Sequence, residues 1–388
     1  MTDAFLPDLP DQDLAAKALL PTGLRDLLPP DAEHEAEVVG RLMAAFAAHG
    51  YERVKPPLIE FEEGLLSGAG AALSKQTFRL MDPVSQRMMG LRSDMTPQVA
   101  RIAATRLGGA PRPLRLSYAG QILRVKGGQL RPERQFGQVG IELIGSLAPA
   151  ADVEVALLAL SALRAVGAAD VSIDLTVPTL VPAVAAAFGL TPKQQAQLRA
   201  ALDKRDAAAV AAVAGPAAAV LTDLLKASGP APAAVQRLAA IALPDAAEPE
   251  RARLTAAVAL LEQALPDLSF TIDPVEQRGF EYQTGLSFTL FARGVRGELG
   301  RGGRYRTEAD EPATGFTLFT DTVIQAIPGP QAPRRLFLPH GTPYESAVQL
   351  RAEGWQTVSG LEPAGDAAAE ARRLGCGHVL GASGPTAV

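Results

Sequence analysis

Four short stretches carry polar side chains where apolar ones belong. In EQRGFEYQTGLSFTLF, residues 276–291, the tail places Leu286, Phe288 and Leu290 on one parity as a buried strand does, yet Arg278, Phe280 and Tyr282 share that parity. In GQVGIELIG, Gln138, Gly140 and Glu142 fall on one face while Val139, Ile141 and Leu143 fall on the other, which describes a polar floor with space above the glycine. SDMTPQ adds Asp94 and Thr96, and LRVKGG adds Arg124. Carboxylates suit an ammonium group or a protonated ring, and guanidinium groups suit a carboxylate or phosphate through forked, charge-assisted hydrogen bonds. Asp94, Thr96, Arg124, Gln138, Glu142, Arg278 and Tyr282 together therefore describe a site for a small zwitterion. Were each an isolated core ion pair instead, burying so many together without ligand or water would cost several kcal/mol.

The elements that must position these groups follow from periodicity. After a polar lead over residues 1–20, Pro29 and Pro30 precede an acid-rich turn and an apolar stripe of Val38, Leu42 and Phe46, which predicts a helix of about 18 residues ending near His49 and Gly50. YERVKPPLIEFEE reads as a strand interrupted by Pro56 and Pro57 and therefore lying at an edge or an interface. Two short strands flank the turn DPVS, and Thr96-Pro97 opens a helix in cap-then-proline order. PLRLSYAGQILRVKGGQLRPERQFGQVGIELIG reads as strand, glycine-rich loop, strand. An amphipathic helix is expected over residues 151–166 and a strand over 172–177.

Residues 185–266 turn alanine-rich and helical, with KQQAQLRAALDKRDAAAVAAV the clearest helix, and read as an inserted, solvated helical subdomain without chemistry of its own. Strands resume at LSFTID and run on to Gly300. PGPQAPRR at 328–335 is a linker, after which strand, helix, strand, helix, strand alternate in a small α/β module. The domain reading is a lead over 1–20, a core over 21–184 and 267–327, the helical insertion between them, and a terminal module over 328–388.

Composition removes several classes of function. A net charge of -5 argues against a nucleic-acid binder working through its whole surface. The one cysteine, Cys376, excludes an internal disulfide or a cysteine-cluster metal site and suits a reducing cytoplasm. The four histidines, His34, His49, His340 and His378, sit in no polar constellation. No export signal and no run of ~18 apolar residues is expected, so membrane spanning is not indicated.

At these residues the chain resembles the catalytic core of histidyl-tRNA synthetase, a class II aminoacyl-tRNA synthetase. TGLRDLLPP with GYERVKPPLIE resembles the dimer-forming first motif, and LRVKGGQLRPERQFGQVGIELIG the second. LRSDMTPQ is similar to the segment that holds the amino group of histidine, QRGFEYQTG to the histidine-specific segment, and GRGGRY to the glycine loop ahead of the third motif. The resemblance implies an α+β fold, an antiparallel sheet flanked by helices. It places Asp94 and Thr96 at the amino group, Arg124 at the second-motif arginine, Gln138 and Glu142 in the amino-acid pocket and Arg278 at the catalytic arginine.

Departures from the synthetase pattern cluster at the nucleotide. Lys126 stands where a carboxylate reads adenine, Phe319 fills a position kept small for it, Thr322 replaces the nucleotide-binding arginine, and Gln283 replaces the second tyrosine of a pair. Losing a preorganised cation at a phosphate removes about 3 kcal/mol or more of transition-state stabilisation, so adenylation is expected to fail. The terminal module is shorter than an anticodon-binding domain, and its charges balance.

LRSDMTPQ, YAGQILR and RGFEYQTG are more similar still to the regulatory-subunit family of ATP phosphoribosyltransferase. That resemblance implies a non-catalytic, cytoplasmic subunit with no cofactor, working with a short-form catalytic subunit in the first step of histidine biosynthesis. It further implies L-histidine as effector, a homodimer within a hetero-oligomer, and no tRNA or membrane partner. The alternatives are a histidyl-tRNA synthetase and a synthetase-like scaffold for another partner.

Overall fold

The alternation of apolar and polar residues in the central strands builds a sheet with two unlike faces. The computed structural model describes residues 18–66, 68–128, 131–266, 268–277 and 282–388. It divides into two compact units, one ending at Pro328 and one spanning Gly329–Val388.

In the first unit the strands of the main sheet are β1 (Glu52–Arg53), β5 (Leu114–Leu123), β6 (Gln135–Ile144), β7 (Val171–Thr176), β8 (Gly229–Pro230), β9 (Phe270–Ile272), β10 (Gln283–Ala292), β11 (Gly300–Arg306) and β12 (Pro312–Phe319). Their order is β1-β5-β6-β12-β11-β10-β7-β9-β8. The sheet is the antiparallel one expected, with parallel pairing added toward its two ends at β1–β5 and β7–β9. Between β1 and β5 in sequence, β2 (Ile59–Phe61), β3 (Arg79–Met81) and β4 (Met88–Leu91) form a small separate sheet. Pro56 and Pro57 fall in the break between β1 and β2, and β1 is an edge strand, as proline without an N–H requires.

One face of the main sheet carries Val139, Ile141 and Leu143 of β6 with Leu286, Phe288 and Leu290 of β10. Helices α1 (Asp31–Ala48) and α3 (Pro149–Val166) contribute Val38, Leu42, Phe46, Leu158 and Leu163 to the same core. Phe46 meets Phe316 edge-on at 5.5 Å, the geometry that aromatic quadrupoles favour. Helix α3 has the amphipathic pattern expected of it: Glu154, Leu157, Ser161, Arg164 and Ala165 form one narrow, at least partly exposed stripe, and the rest of the helix from Ala151 to Val166 is buried. The opposite face holds a smaller cluster, Met95, Leu116, Tyr118, Phe136, Tyr305 and Phe319, under α2 (Thr96–Thr105).

The helical segment departs from expectation. Helices α4 (Leu180–Ala187), α5 (Pro192–Asp203), α6 (Ala207–Ala214), α7 (Ala218–Lys226), α8 (Ala231–Ala240) and α9 (Glu248–Ala264) bury Leu198, Leu221, Leu254 and Leu261 in the same continuous core as the sheet. It is therefore not a solvated appendage. The run expected as one helix over 193–213 breaks at Arg205, whose φ of +53° lies in the left-handed region. Asp206 then caps α6 by accepting the Ala209 N–H at 3.0 Å. Residues Ala207–Lys226 are long and apolar enough to cross a membrane by length and composition, which the sequence reading overlooked. In the fold they form α6 and α7 on either side of Gly215-Pro216, and Val210, Ala214, Leu221 and Leu224 lie in the core.

The second unit, by itself, has strands β13 (Arg335–Leu338), β14 (Gln356–Ser359), β15 (His378–Gly381) and β16 (Gly384–Ala387) in the order β14-β13-β15-β16. Its helices are α10 (Tyr344–Ala352) and α11 (Ala367–Arg373). The final antiparallel strand β16 was not foreseen. Leu336, Leu338 and Trp355 pack on one side of this sheet and Phe337, Ala371 and Cys376 on the other.

Behind the site face, Arg304 of β11 is tied to the start of α3. Its Nε donates to Asp152 at 3.0 Å, and its terminal nitrogens donate to the carbonyls of Ser146 at 2.7 Å and Ala148 at 3.2 Å. Both partners are almost wholly buried, 5% and 3% exposed at the side chain. Burial pushes the Asp152 carboxyl up while Arg304 pulls it back down. Removing one partner leaves a buried unpaired charge, so Arg304→Ala is expected to cost about 3–5 kcal/mol in urea unfolding. The Arg304→Leu/Asp152→Leu double variant is expected to recover part of that loss.

Candidate functional site

Register explains how the polar groups meet. One rung of the sheet runs Leu116, Glu142, Gly315, Gly303 and Ser287 across five strands, and the next runs Tyr118, Gly140, Thr317, Arg301 and Thr289. The rungs belong to the site face. A side chain at Gly315 would collide with the Glu142 carboxylate, and one at Gly140 with the Tyr118 ring. These two glycines thus make room for a buried acid and a buried phenol. The space expected above Gly140 is filled from within, because Tyr118 leans across it to place its hydroxyl 2.7 Å from Thr317 Oγ1.

Glu142 lies at the bottom of a cavity of about 580 Å³, a size suited to a small ligand. Tyr118 donates to its Oε1 at 3.2 Å and Tyr305 to its Oε2 at 2.9 Å. Burial pushes the Glu142 carboxyl up to about 8; hydrogen bonds from Tyr305, Thr96 and Tyr118 oppose the shift, and the Asp94 charge adds to it. Both phenols are driven well above their ordinary range by burial, reinforced by the Glu142 charge.

The rim comes from the segment preceding α2. Arg92, 7% exposed, fixes that segment by donating to the Gln121 carbonyl at 2.8 Å and the Pro56 carbonyl at 3.0 Å. Asp94 Oδ1 accepts the Thr96 N–H at 2.9 Å, and Thr96 Oγ1 lies 3.3 Å from the Tyr118 hydroxyl. Thr96 is not the cap of α2 as expected. Met95 occupies that position without a side-chain cap, and Thr96 is the first helical residue, with its hydroxyl turned to the site.

The structure brings Asp94, Thr96, Arg124, Glu142 and Tyr282 together around the cavity. Gln138 does not line it. Its amide oxygen accepts the Met95 N–H at 3.0 Å, and its fully buried Nε2 has no hydrogen-bond partner among the described residues. Arg278 lies outside the described residues. Arg124 donates through Nε to the Ser93 carbonyl at 3.3 Å, and burial lowers its pKa while the Asp94 charge opposes that.

Tyr282 reaches the site by a route that strict alternation forbids. It precedes β10 in a turn, and between Gln283 and Ser287 the register against β11 shifts, so four steps on one strand match two on the other. Tyr282 therefore packs edge-on to Tyr305 at 5.8 Å, on the face opposite Leu286, Phe288 and Leu290.

Sequence reading missed Tyr118, Tyr305, Thr317 and Arg301. GRGGRY, expected as a loop, is strand β11, and the alternation of Arg301, Gly303 and Tyr305 is the signal of it in the sequence. Arg301 is held by Glu298, with Nε to Oε2 at 3.1 Å. Burial acts to lower its pKa, but the Glu298 charge and hydrogen bond outweigh it and leave it raised.

A carboxylate flanked by phenols, a threonine, a second carboxylate and two arginines can hold a small molecule that is cationic at one end and anionic at the other. That donor set and this fold agree with the relatives of the chain. Residues 23–323 match the family model described as histidyl-tRNA synthetase. A protein of Bacillus halodurans described as an ATP phosphoribosyltransferase regulatory subunit/histidyl-tRNA synthetase superposes with a TM-score of 0.79 at 24% identity, over 92% of this chain and 96% of its own, and shares the class II synthetase-like fold. The ATP phosphoribosyltransferase regulatory subunit of Rhodospirillum centenum is 71% identical over 93% of this chain and 94% of its own length. That of Paramagnetospirillum magneticum is 63% identical over 95% and 98%. The chain belongs to this histidyl-tRNA synthetase-like family of ATP phosphoribosyltransferase regulatory subunits.

Glu142 sets a pH signature. Below the ordinary carboxylate range both folded and unfolded forms carry its proton, and the full stability is present. As pH rises past about 4.5 the unfolded chain releases the proton while the folded chain keeps it until about 8. Stability is therefore lost across that window, with a slope of at most about 1.4 kcal/mol per pH unit. Glu142→Gln is expected to remove this component, read as a flatter difference curve between pH 5 and 8 in chemical denaturation. Parallel curves for both proteins would exclude Glu142 as its source.

Proposed function

We propose that this chain is the non-catalytic regulatory subunit of ATP phosphoribosyltransferase, that it works with a short-form catalytic subunit in the first step of histidine biosynthesis, and that L-histidine acts through the cavity above Glu142. The observation that carries this reading is the pairing of a polar, amino-acid-sized site with the loss of an open cationic clamp beside it. Asp94 and Thr96 suit the ligand amino group, Arg124 suits its carboxylate, and Glu142 with its phenols suits the ring. Arg278 joins Arg124 in this reading from its place in the sequence alone.

Activation of an amino acid by ATP needs a cation free to meet phosphate. Lys126 and Thr322 replace the expected carboxylate and arginine, and the Thr322 hydroxyl is turned inward, donating to the Glu298 carbonyl at 2.8 Å. Arg131 does approach this place, but its Nε is taken by Asp321 at 2.8 Å. In this reading the chain makes no aminoacyl-adenylate, needs no cofactor and binds no tRNA. It works in the cytoplasm as a homodimer within a hetero-oligomer.

Regulation then follows from linkage. A ligand that binds one arrangement of the complex better than another shifts the catalytic subunit by that difference, typically about 1–3 kcal/mol. The test is a phosphoribosyltransferase assay of the short-form subunit with and without this chain, across histidine concentrations. Activity is expected to depend on the chain, and histidine is expected to inhibit. Glu142→Ala and Arg124→Ala are each expected to weaken histidine binding by tenfold or more in calorimetry of the intact complex. Unchanged affinity in both variants would move the effector elsewhere, and histidine-dependent pyrophosphate exchange by the isolated chain would end the non-catalytic reading.

A further inference from the structure

The cavity above Glu142 has a neighbour of about 550 Å³, and the two share Arg124 and Arg301 in their walls. The second chamber offers the aromatic face of Phe136, and its wall mixes charges of both signs, Arg124, Lys126 and Arg301 with Glu133, Glu276 and Glu298. Phe319 stands at the junction, lining the first cavity and meeting Phe136 edge-on at 5.8 Å.

The rings of Phe136 and Phe319 are already covered. The Arg131 guanidinium lies 4.0 Å from the centroid of the Phe319 ring and 4.7 Å from that of Phe136. Asp321 anchors it through Nε at 2.8 Å, and a terminal nitrogen reaches Thr322 Oγ1 and the Glu298 carbonyl, each at 3.4 Å. Arg131 and Asp321 are each 12% exposed at the side chain. A planar cation on two rings, fixed by a carboxylate, makes the contacts that a planar ligand would otherwise make.

We propose that Arg131 is a built-in occupant of this aromatic junction, a specificity-determining residue that confines the paired chambers to an amino-acid-sized ligand and shuts out a purine nucleotide. Asp321 is the latch that holds it there. This stands whether or not histidine is the ligand of the first cavity, because its readout is nucleotide binding alone.

The experiment is titration of the full chain with ATP by calorimetry, with a fluorescent trinitrophenyl-ATP as a second probe. Arg131→Ala alone would strand the Asp321 carboxylate, so the informative variants are Arg131→Ala/Asp321→Asn, which removes occupant and charge together, and Asp321→Asn, which frees the arginine from its latch. Wild type is expected to bind ATP more weakly than millimolar. The double variant is expected to bind at least tenfold more tightly, with Asp321→Asn between the two. Equal ATP affinity in wild type and the double variant would overturn the proposal, as would a double variant of native circular dichroism that gains no affinity.

Discussion

A carboxylate buried in the middle of a sheet is the constraint around which this molecule is arranged. Among the described residues Glu142 has no basic hydrogen-bond partner; two phenols donate to its oxygens instead. Such a group is tolerated only where the neighbouring strands leave volume for it and where its hydrogen bonds are complete. Gly140 and Gly315 supply the volume, and the bonds come from Tyr118 on the neighbouring strand β5 and Tyr305 on β11, two strands away on the other side. The order of β5, β6, β12 and β11 is thus as much a part of the site as any side chain in it.

The faces of β6, the edge position of β1 and the long first helix were all legible in the sequence, because each depends on local periodicity or on proline chemistry. Asp94, Thr96, Arg124 and Glu142 were legible as members of one site for a similar reason: each interrupts an apolar pattern. Gln138 interrupts it too, but its amide is used to hold Met95. Parity alone cannot separate a ligand contact from a support.

What escaped were properties of pairing between strands. Tyr118 matters because it lies opposite Gly140, and Tyr305 because it stands on the next strand but one. Neither relation exists until register is set. The displacement of Tyr282 to the other face has the same origin, since a register shift is invisible to a strict two-residue repeat. The alanine-rich helices were misjudged for a different reason: small apolar side chains look weakly amphipathic, yet they let helices approach closely and share one core with the sheet.

Arg304 and its two carbonyl acceptors brace β11 from behind, while Arg92 clamps the opposite rim to β5. A container stiffened on its back and sides has little give left when it fills. The outer wall is the stretch Leu73–Gln76, which borders the opening and is stitched to the second-motif loop by the bond from the Val125 N–H to the Gln76 carbonyl at 2.9 Å. That bond joins the outer edge of the cavity to the segment that carries Arg124, so the two share one backbone connection.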